Sequence, residues 1–353
     1  MSSVTIVGAN GYAGRDLIRI LAAHQKIDEI VPVSRSEAGK SISSVHKSLK
    51  NIFDETIINP DFDKICSHDP DLIFFATPSG ALINKIPSLL KSGIKVISMS
   101  GDCRIGDFET NKRYYNIEGI SDDLIFDLLK IRVYGLPELY RSKIKNATFV
   151  TNPGCYPTSA ILGLTPLKKL KDKLKLCVEK VVVDSMSGSS GAGKNPIPLT
   201  HHTNVEGNVI PYNVTLHRHR PEMEFILSEQ FGCNVGIGFT PHIMDRANGI
   251  ISNISVFGAD LKSVDLSEHF LKFYEGERFV RVNKNGEDPP NLHNVDGTNF
   301  CDIGVYIDDE IGCSGSERVF IISVIDNLIK GGSGQAIQNM NLMLGFDEAE
   351  GLL

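Results

Sequence analysis

The sequence predicts an α/β protein. A Rossmann-type, doubly wound parallel sheet comes first, and an α+β catalytic domain with a mainly antiparallel sheet follows. Three observations carry this reading. A short apolar run, Val4-Thr5-Ile6-Val7, leads directly into Gly8-Ala9-Asn10-Gly11-Tyr12-Ala13-Gly14 and then into an amphipathic stretch; strand, glycine turn and helix make half a βαβ unit. Further apolar runs alternate with helical stretches, as parallel sheets require. After residue 150 the runs lengthen and their connections loosen. At 353 residues the chain has room for two cores, since one core rarely grows past ~250 residues. The expected division is a dinucleotide-binding domain over 1–150, a catalytic domain over 151–325, and a C-terminal helix over 326–353 that returns to the first domain.

In order, residues 4–7 read as a buried strand and Arg15 to His24 as a helix, with Leu17, Ile18, Ile20 and Leu21 on one face. Strands are expected at Glu29–Val33, Leu72–Ala76 and Lys95–Met99, with a helix over Ala81–Lys91 between the last two. Thr151-Asn152-Pro153-Gly154-Cys155-Tyr156-Pro157-Thr158 is a turn running into a helix: Asn-Pro-Gly is turn chemistry, and Pro157 suits a first helical turn. The second domain has β-rich runs at Glu179–Asp184, Asn234–Phe239, Gly249–Phe257 and Arg318–Ile325. Gly331 to Gly334 then launches a final helix, Gln335–Leu344.

The net charge is −7 and the pI about 5.8. This balance argues against nucleic acid or a membrane surface as partner, because both require a positive field. Seven cysteines, at 66, 103, 155, 177, 233, 301 and 313, are odd in number and never spaced as CxxC. Neither a disulfide framework nor a cysteine zinc site is indicated, and a reduced cytoplasm is the expected location. No run reaches the ~18 apolar residues of a membrane span.

In Gly8-x-x-Gly11-x-x-Gly14 the glycines permit a tight turn, approach to a pyrophosphate, and helix-on-strand packing. Gly8, Asn10, Gly11, Tyr12, Ala13 and Gly14 are therefore cofactor-binding candidates. NAD binders usually place an acidic residue at the end of the second strand, whereas this one ends Val33-Ser34-Arg35-Ser36. Arg35 between Ser34 and Ser36 suits a 2′-phosphate, so NADP is expected. Thr77, Pro78 and Ser79 follow a strand at its carboxyl end and are expected to line the same cleft.

A thiol at a helix start meets unpaired N–H groups and the positive end of the helix dipole, which favour thiolate. Cys155 is the candidate nucleophile. Leu216-His217-Arg218-His219-Arg220-Pro221-Glu222 concentrates titratable groups before a helix expected at Pro221. If 214–220 is extended, His217 and His219 share a face and can supply an acid/base, with Glu222 as orienting partner. The pair could also bind zinc, but a third ligand is not evident, and no metal is expected. His201, His202 and His242 read as turn residues. Gly188 to Asn195 matches GxxxxGK but lacks the following Ser or Thr, and Pro196 and Pro198 preclude the helix that would cradle a triphosphate. Its free N–H groups and Lys194 suit a smaller anion, such as one phosphate or carboxylate.

The sequence resembles the N-acetyl-gamma-glutamyl-phosphate reductase family of the semialdehyde dehydrogenase superfamily nearly end to end. The likeness rests on residues 8–14, 152–158, 187–194, 217–222, 239–242 and 326–331 in this order. It implies NADPH, a Cys155 nucleophile, a histidine acid/base, an acyl-phosphate substrate and a homo-oligomer. It also places Ser187, Gly188 and Asn327 by the cofactor, and Asn152, Ser190, Gly191 and Lys194 by the substrate. Two positions depart from the pattern: Ser159, where Gly or Ala is usual, and Cys103, where an apolar or small residue is common. A related branch acts on substrates tethered to a small acidic amino-group carrier protein. Residues Tyr140–Lys145 and the lysine-rich Leu167–Leu176 could receive such a carrier. Two readings from other classes compete: an NADP sensor without catalysis, and a carbon–oxygen dehydrogenase without a covalent intermediate.

Overall fold

The computed structural model describes residues 2–115, 117, 119–309 and 317–353; Cys313 lies outside them. The chain divides into two compact units, one of residues 1–154 with 332–353 and the other of residues 155–331.

The first unit is built on a six-stranded sheet in the order β2-β1-β3-β4-β6-β5. Its strands are β1 (Ser2–Val7), β2 (Ile27–Val33), β3 (Leu72–Phe75), β4 (Lys95–Ser98), β5 (Val133–Tyr134) and β6 (Phe149–Thr151). All five pairings are parallel. Strands covered on both faces lose their polar alternation, which is why Leu72-Ile73-Phe74-Phe75 is entirely buried. Helices α1 (Tyr12–Leu21), α2 (Ile42–Val45), α3 (Phe62–Ser67), α4 (Ile86–Lys91), α5 (Phe108–Tyr114), α6 (Asp122–Ile131) and α7 (Pro137–Lys145) connect the strands.

Two helices differ from their expected bounds for local reasons. α1 starts at Tyr12 rather than Arg15, because Gly11 is its N-cap and Gly14 lies inside its first turn. The expected Ala81–Lys91 helix is a 3-10 turn, Ile83–Lys85, followed by α4; Pro87 disfavours helical geometry in the residue before it and fits only the first helical turn. The C-terminal helix, Gly334–Leu344, belongs to this unit. It is tied there by Ser333 Oγ to Ala13 O (3.0 Å), Asn341 Oδ1 to His24 Nε2 (2.9 Å) and Asn339 Nδ2 to Gly135 O (2.8 Å).

The second unit holds a seven-stranded sheet in the order β11-β12-β13-β10-β7-β9-β8. The strands are β7 (Val181–Ser187), β8 (Val209–Pro211), β9 (Ile237–Met244), β10 (Ile250–Gly258), β11 (Val280–Val282), β12 (Cys301–Asp308) and β13 (Glu317–Ile325). Four pairings are antiparallel, while β7–β9 and β11–β12 run parallel. Burial alternates along β7, β9 and β10, so one face is packed and the other partly open. The packed face carries α8 (Cys155–Leu164), with α9 (His202–Val205), α10 (His219–Phe231) and α11 (Leu266–Phe273) completing the unit. No helix among the described residues is long and apolar enough to cross a membrane.

Candidate active site

The glycine loop sits between the carboxyl ends of β2 and β3. Gly8 and Ala9 donate their N–H groups to Val33 O at 2.9 and 3.1 Å. A Cβ on Gly8 would lie 2.2 Å from Ala76 O, with φ at +97°, and one on Gly14 would lie 2.5 Å from Gly8 O. Both glycines are demanded by the fold itself. Gly11 differs: its nearest neighbour would be Gly8 O at 3.6 Å, an ordinary contact. Its φ of −86° is open to any residue, and no side chain caps the helix it starts. The protein has no need of a glycine there, but an anion seated on the α1 N-terminus does. The cradle thus fits a dinucleotide pyrophosphate.

The remaining residues of the expected cofactor site in this unit gather at the same strand ends. Thr77 lies beside Gly8, its Cγ2 3.4 Å from the position a Gly8 Cβ would take. Ser79 Oγ accepts from Gly101 N at 3.1 Å, and the Asp102 carboxylate accepts from Gly80 N at 2.9 Å, which shapes the loop containing Pro78. Asn10 Nδ2 donates to Ser36 Oγ at 3.1 Å. Ser34 is buried and Arg35 exposed, with no ion pair for Arg35 among the described residues. A free guanidinium between two hydroxyls keeps the chemistry expected for a 2′-phosphate. Asn152 is engaged inside this unit: its Nδ2 donates to Gly332 O at 3.1 Å and its Oδ1 accepts from Asn339 at 3.0 Å.

Cys155 is the first residue of α8, and no acidic side chain stands in the first turn of that helix. The rest of α8 is buried, whereas Cys155 is half-buried. Gly331 makes room for it, since a Cβ there would lie 2.8 Å from Cys155 Cβ. The adjacent Tyr156 forms an aromatic wall with His217, His219 and Phe239, at ring separations of 5.5, 5.9 and 5.2 Å. Tyr212 packs edge-on against His217 at 5.4 Å. Its hydroxyl donates to Tyr156 Oη at 3.1 Å, and Tyr156 donates onward to the His242 carbonyl at 3.3 Å. Burial, with the neighbouring tyrosine and the Cys155 charge, pushes the Tyr156 hydroxyl far up, and burial pushes Tyr212 up to about 12. Neither phenol ionises at physiological pH.

His217 and His219 are brought together, but not by strand alternation. The segment is not extended: α10 begins at His219 rather than Pro221, and the His219 N–H is given to His217 Nδ1 at 3.2 Å. The rings stand 4.8 Å apart. Because Nδ1 accepts, the proton of neutral His217 resides on Nε2. Burial, then the Arg218 charge, lowers the His217 pKa to about 4. Glu222 lies fully buried in the first turn of α10. His242 occupies strand β9 rather than a turn, with Nδ1 3.4 Å from Asp184 Oδ1; Pro241 suggested a turn, but its carbonyl simply accepts from Tyr212 N. His201 and His202 are exposed around the start of α9.

Ser187, Gly188, Ser190, Gly191 and Asn327 cluster in the second unit. Asn327 Oδ1 accepts from Gly249 N at 2.7 Å and its Nδ2 donates to Ser190 Oγ at 3.0 Å, so this amide holds the loop in shape. A Cβ on Gly191 would be 3.6 Å from Asn327 Nδ2 and 3.7 Å from Ser187 Oγ. Lys194 is exposed, and the segment after it is extended at Ile197 before a single 3-10 turn, Pro198–Thr200. Tyr156, Tyr212 and Gly331 were not singled out from the sequence. No spacing rule marks them, and Tyr212 comes from a segment with Asn213 and Thr215 at positive φ.

Residues 3–147 match the semialdehyde dehydrogenase NAD-binding domain and residues 155–327 the semialdehyde dehydrogenase dimerisation domain. The chain is 44% identical to N-acetyl-gamma-glutamyl-phosphate reductase of Methanocaldococcus jannaschii, over 100% of this chain and 98% of that one. It is 42% identical to the Archaeoglobus fulgidus reductase of the same name, over 99% and 97%. Aspartate semialdehyde dehydrogenase II from Vibrio cholerae shares the fold, with a TM-score of 0.71 at 16% identity over 98% and 99% of the chains.

The depressed His217 pKa has a consequence for stability. The unfolded imidazole, near 6.5, binds a proton that the folded one at about 4 refuses, so stability is fully present above pH 6.5 and is lost as pH falls toward 4. Chemical denaturation at pH 7 and pH 4.5 should show His217→Gln losing less stability than wild type over this interval, by about 2 kcal/mol. Equal losses would mean that His217 titrates normally.

Proposed function

Because the chain belongs to the N-acetyl-gamma-glutamyl-phosphate reductase family, we propose that it reduces N-acetyl-gamma-glutamyl phosphate to N-acetylglutamate semialdehyde, with NADPH as cofactor, in arginine biosynthesis. The observation that carries this reading is Cys155 at the start of α8, beside Gly331 and walled by Tyr156, with His217 and Tyr212 packed around that tyrosine. A non-covalent dehydrogenase or a cofactor sensor has no use for a thiol so placed.

The Gly8–Gly14 loop and the α1 N-terminus would hold the pyrophosphate, and Arg35 with Ser34 and Ser36 the 2′-phosphate. NADPH, when bound, supplies the hydride that reduces the acyl carbon. Cys155 thiolate attacks that carbon and expels phosphate, forming a thioester. The loop from Ser187 to Lys194 receives the departing phosphate or a substrate carboxylate at Lys194, because the N–H groups of Gly188, Ser189, Ser190 and Gly193, expected to be free, already donate to the carbonyls of Gly249, Arg246, Ala247 and Ser190. After reduction, His217 Nε2–H and the first-turn N–H groups of α8 hold the tetrahedral oxyanion. The carbonyl re-forms as the C–S bond breaks, and the electron pair returns to Cys155 as thiolate. The His219 N–H, given to His217 Nδ1, keeps His217 in its donor tautomer, and buried Glu222 is assigned as its orienting partner.

We assign the free metabolite rather than a carrier-bound substrate. In the cationic stretches that could receive an acidic carrier, Arg141 pairs with Glu348 at 2.7 Å, Lys168 donates to Gln230 at 2.8 Å, and Lys175 pairs with Asp260 at 3.5 Å, which lowers the charge they offer a partner. Self-association is assigned to the outer face of the second unit's sheet. There Val182 is 47% exposed and Ile251, Phe320 and Ile322 are half-buried, apolar side chains spread over three cross-strand rows among Ser255, Asn253 and Asp184 and suited to a second copy. A reducing cytoplasm is inferred from seven cysteines that are odd in number and never spaced as CxxC.

Purified protein supplied with N-acetylglutamate semialdehyde, phosphate and NADP⁺ should form NADPH in the reverse reaction. Cys155→Ala should abolish this while retaining NADPH binding, and full turnover by that variant would overturn the scheme. Gly11→Ala should raise the NADPH dissociation constant tenfold or more, ~1.4 kcal/mol, with a melting temperature within about 2 °C of wild type. Analytical ultracentrifugation should find a dimer or larger assembly that Val182→Asp with Phe320→Asp disrupts; a wild-type monomer would remove the interface.

A further inference from the structure

Beneath the nucleophile helix, the packed face of the second unit's sheet carries a polar row inside an apolar core. Ser252 on β10 stands opposite Ser185 on β7 and opposite Ser323 on β13. Ser159 of α8 rests on this row, and all four serines are 0% exposed. Ser185 Oγ donates to Ser252 Oγ at 2.8 Å. Ser159 Oγ lies 3.0 Å from Ser252 Oγ and 3.1 Å from both Ser323 O and Ser323 Oγ. Ser323 Oγ returns a bond to the Ser159 carbonyl at 2.8 Å, and Cys301 Sγ lies 3.4 Å from the same hydroxyl. The row below is apolar, with Val183, Ile254 and Ile321, and the row above sets Ile250 and Ile325 beside Ser187 on β7.

Apolar contact is non-directional. A helix presenting small residues, Ser159 and Gly163, to isoleucines therefore has several seats of similar energy. Gly163 is in close contact, since a Cβ there would fall 3.0 Å from Ile254 Cδ1, but such contact limits distance and not sliding. Hydroxyl bonds need both a distance and an angle, so this network selects one seat. Cys155 lies one helical turn, ~5.4 Å, before Ser159, and neighbouring sheet rows on one face are ~6.7 Å apart. Seating Ser159 on the serine row carries Cys155 to the row of Ile325, where Gly331 leaves space: its Cβ would lie 2.8 Å from Cys155 Cβ and 3.2 Å from Ile325 Cδ1.

We propose that the buried serine row positions the nucleophile: Ser159, held by Ser252 and Ser323, seats α8 so that its first-turn N–H groups bear on the Cys155 thiol. This rests on the reading of Cys155 as nucleophile. The influence of a helix terminus falls off within one turn, so a small slide of α8 changes the thiol's acidity while leaving the core packed.

The test separates position from stability. Replacing all four serines by alanine leaves no orphaned hydroxyl, and exchanging every partner for apolar groups of similar shape is close to neutral for folding. The rate of Cys155 alkylation by iodoacetamide, located by peptide mass spectrometry, is followed from pH 5 to 10 together with the melting curve. The quadruple variant should melt within a few degrees of wild type, with its alkylation profile displaced upward and the rate at pH 7 about fivefold lower. Ser159→Ala alone, which changes least, should show the same displacement with a lower melting temperature, and it decides the matter if the quadruple variant does not fold. A wild-type alkylation profile in either folded variant overturns the proposal. A wild-type enzyme whose Cys155 titrates as an ordinary thiol overturns the nucleophile reading instead.

Discussion

The catalytic unit depends on one constraint: α8 must begin at Cys155 and lie close against its sheet. A helix start supplies unpaired N–H groups in a fixed direction, and only the first residue of the helix is placed to use them. Everything around that residue serves the close approach. Gly331 lacks the side chain that would strike Cys155, Gly163 admits Ile254, and residues 156–164 are buried without exception. Pro157 gives up an N–H group that the first turn would not have paired.

The second consequence is electrostatic. Three titratable groups around Cys155 are held in their neutral forms. Burial and Arg218 keep His217 uncharged above pH 4 or so, and burial keeps Tyr156 and Tyr212 protonated. The thiolate proposed for Cys155 would thus meet neutral phenols and a neutral imidazole at this wall. Fixed dipoles in a water-poor site need no reorganisation when charge moves onto the substrate oxygen. In the proposed mechanism His217 donates through Nε2, because the His219 N–H occupies Nδ1.

The glycine loop of the first unit separates residues the fold needs from those a ligand needs. Gly8 and Gly14 are forced by contacts with Ala76, Gly8 and Ala9, so their presence says little about function. Gly11 has room for a side chain and uses an ordinary φ, so its absence of a side chain points outward, to a ligand. Arg35, exposed between Ser34 and Ser36, bears the same reading.

The sequence by itself determined the parallel sheet, the glycine loop and the turn at Cys155, because each rests on interactions local in the chain. Apolar runs of four to seven residues, glycines three apart and an Asn-Pro-Gly turn before an apolar helix leave few alternatives. Sequence reading paired His217 with His219 on the condition of an extended 214–220 segment and took His242 for a turn residue, and it gave no site role to Tyr212, Gly331 or the serine row. Those features are decided by non-local contacts. His217 meets His219 because α10 starts two residues early and takes His217 Nδ1 into its first turn. Strand β12, interrupted by Gly304, is recognisable only beside β13. Ser159 looked like a departure from the usual small residue, and its meaning lies in Ser252 and Ser323, 93 and 164 residues away. Linear periodicity says which side of an element is apolar; which polar atoms meet across a core depends on strand register, and register is settled only when the sheet has assembled.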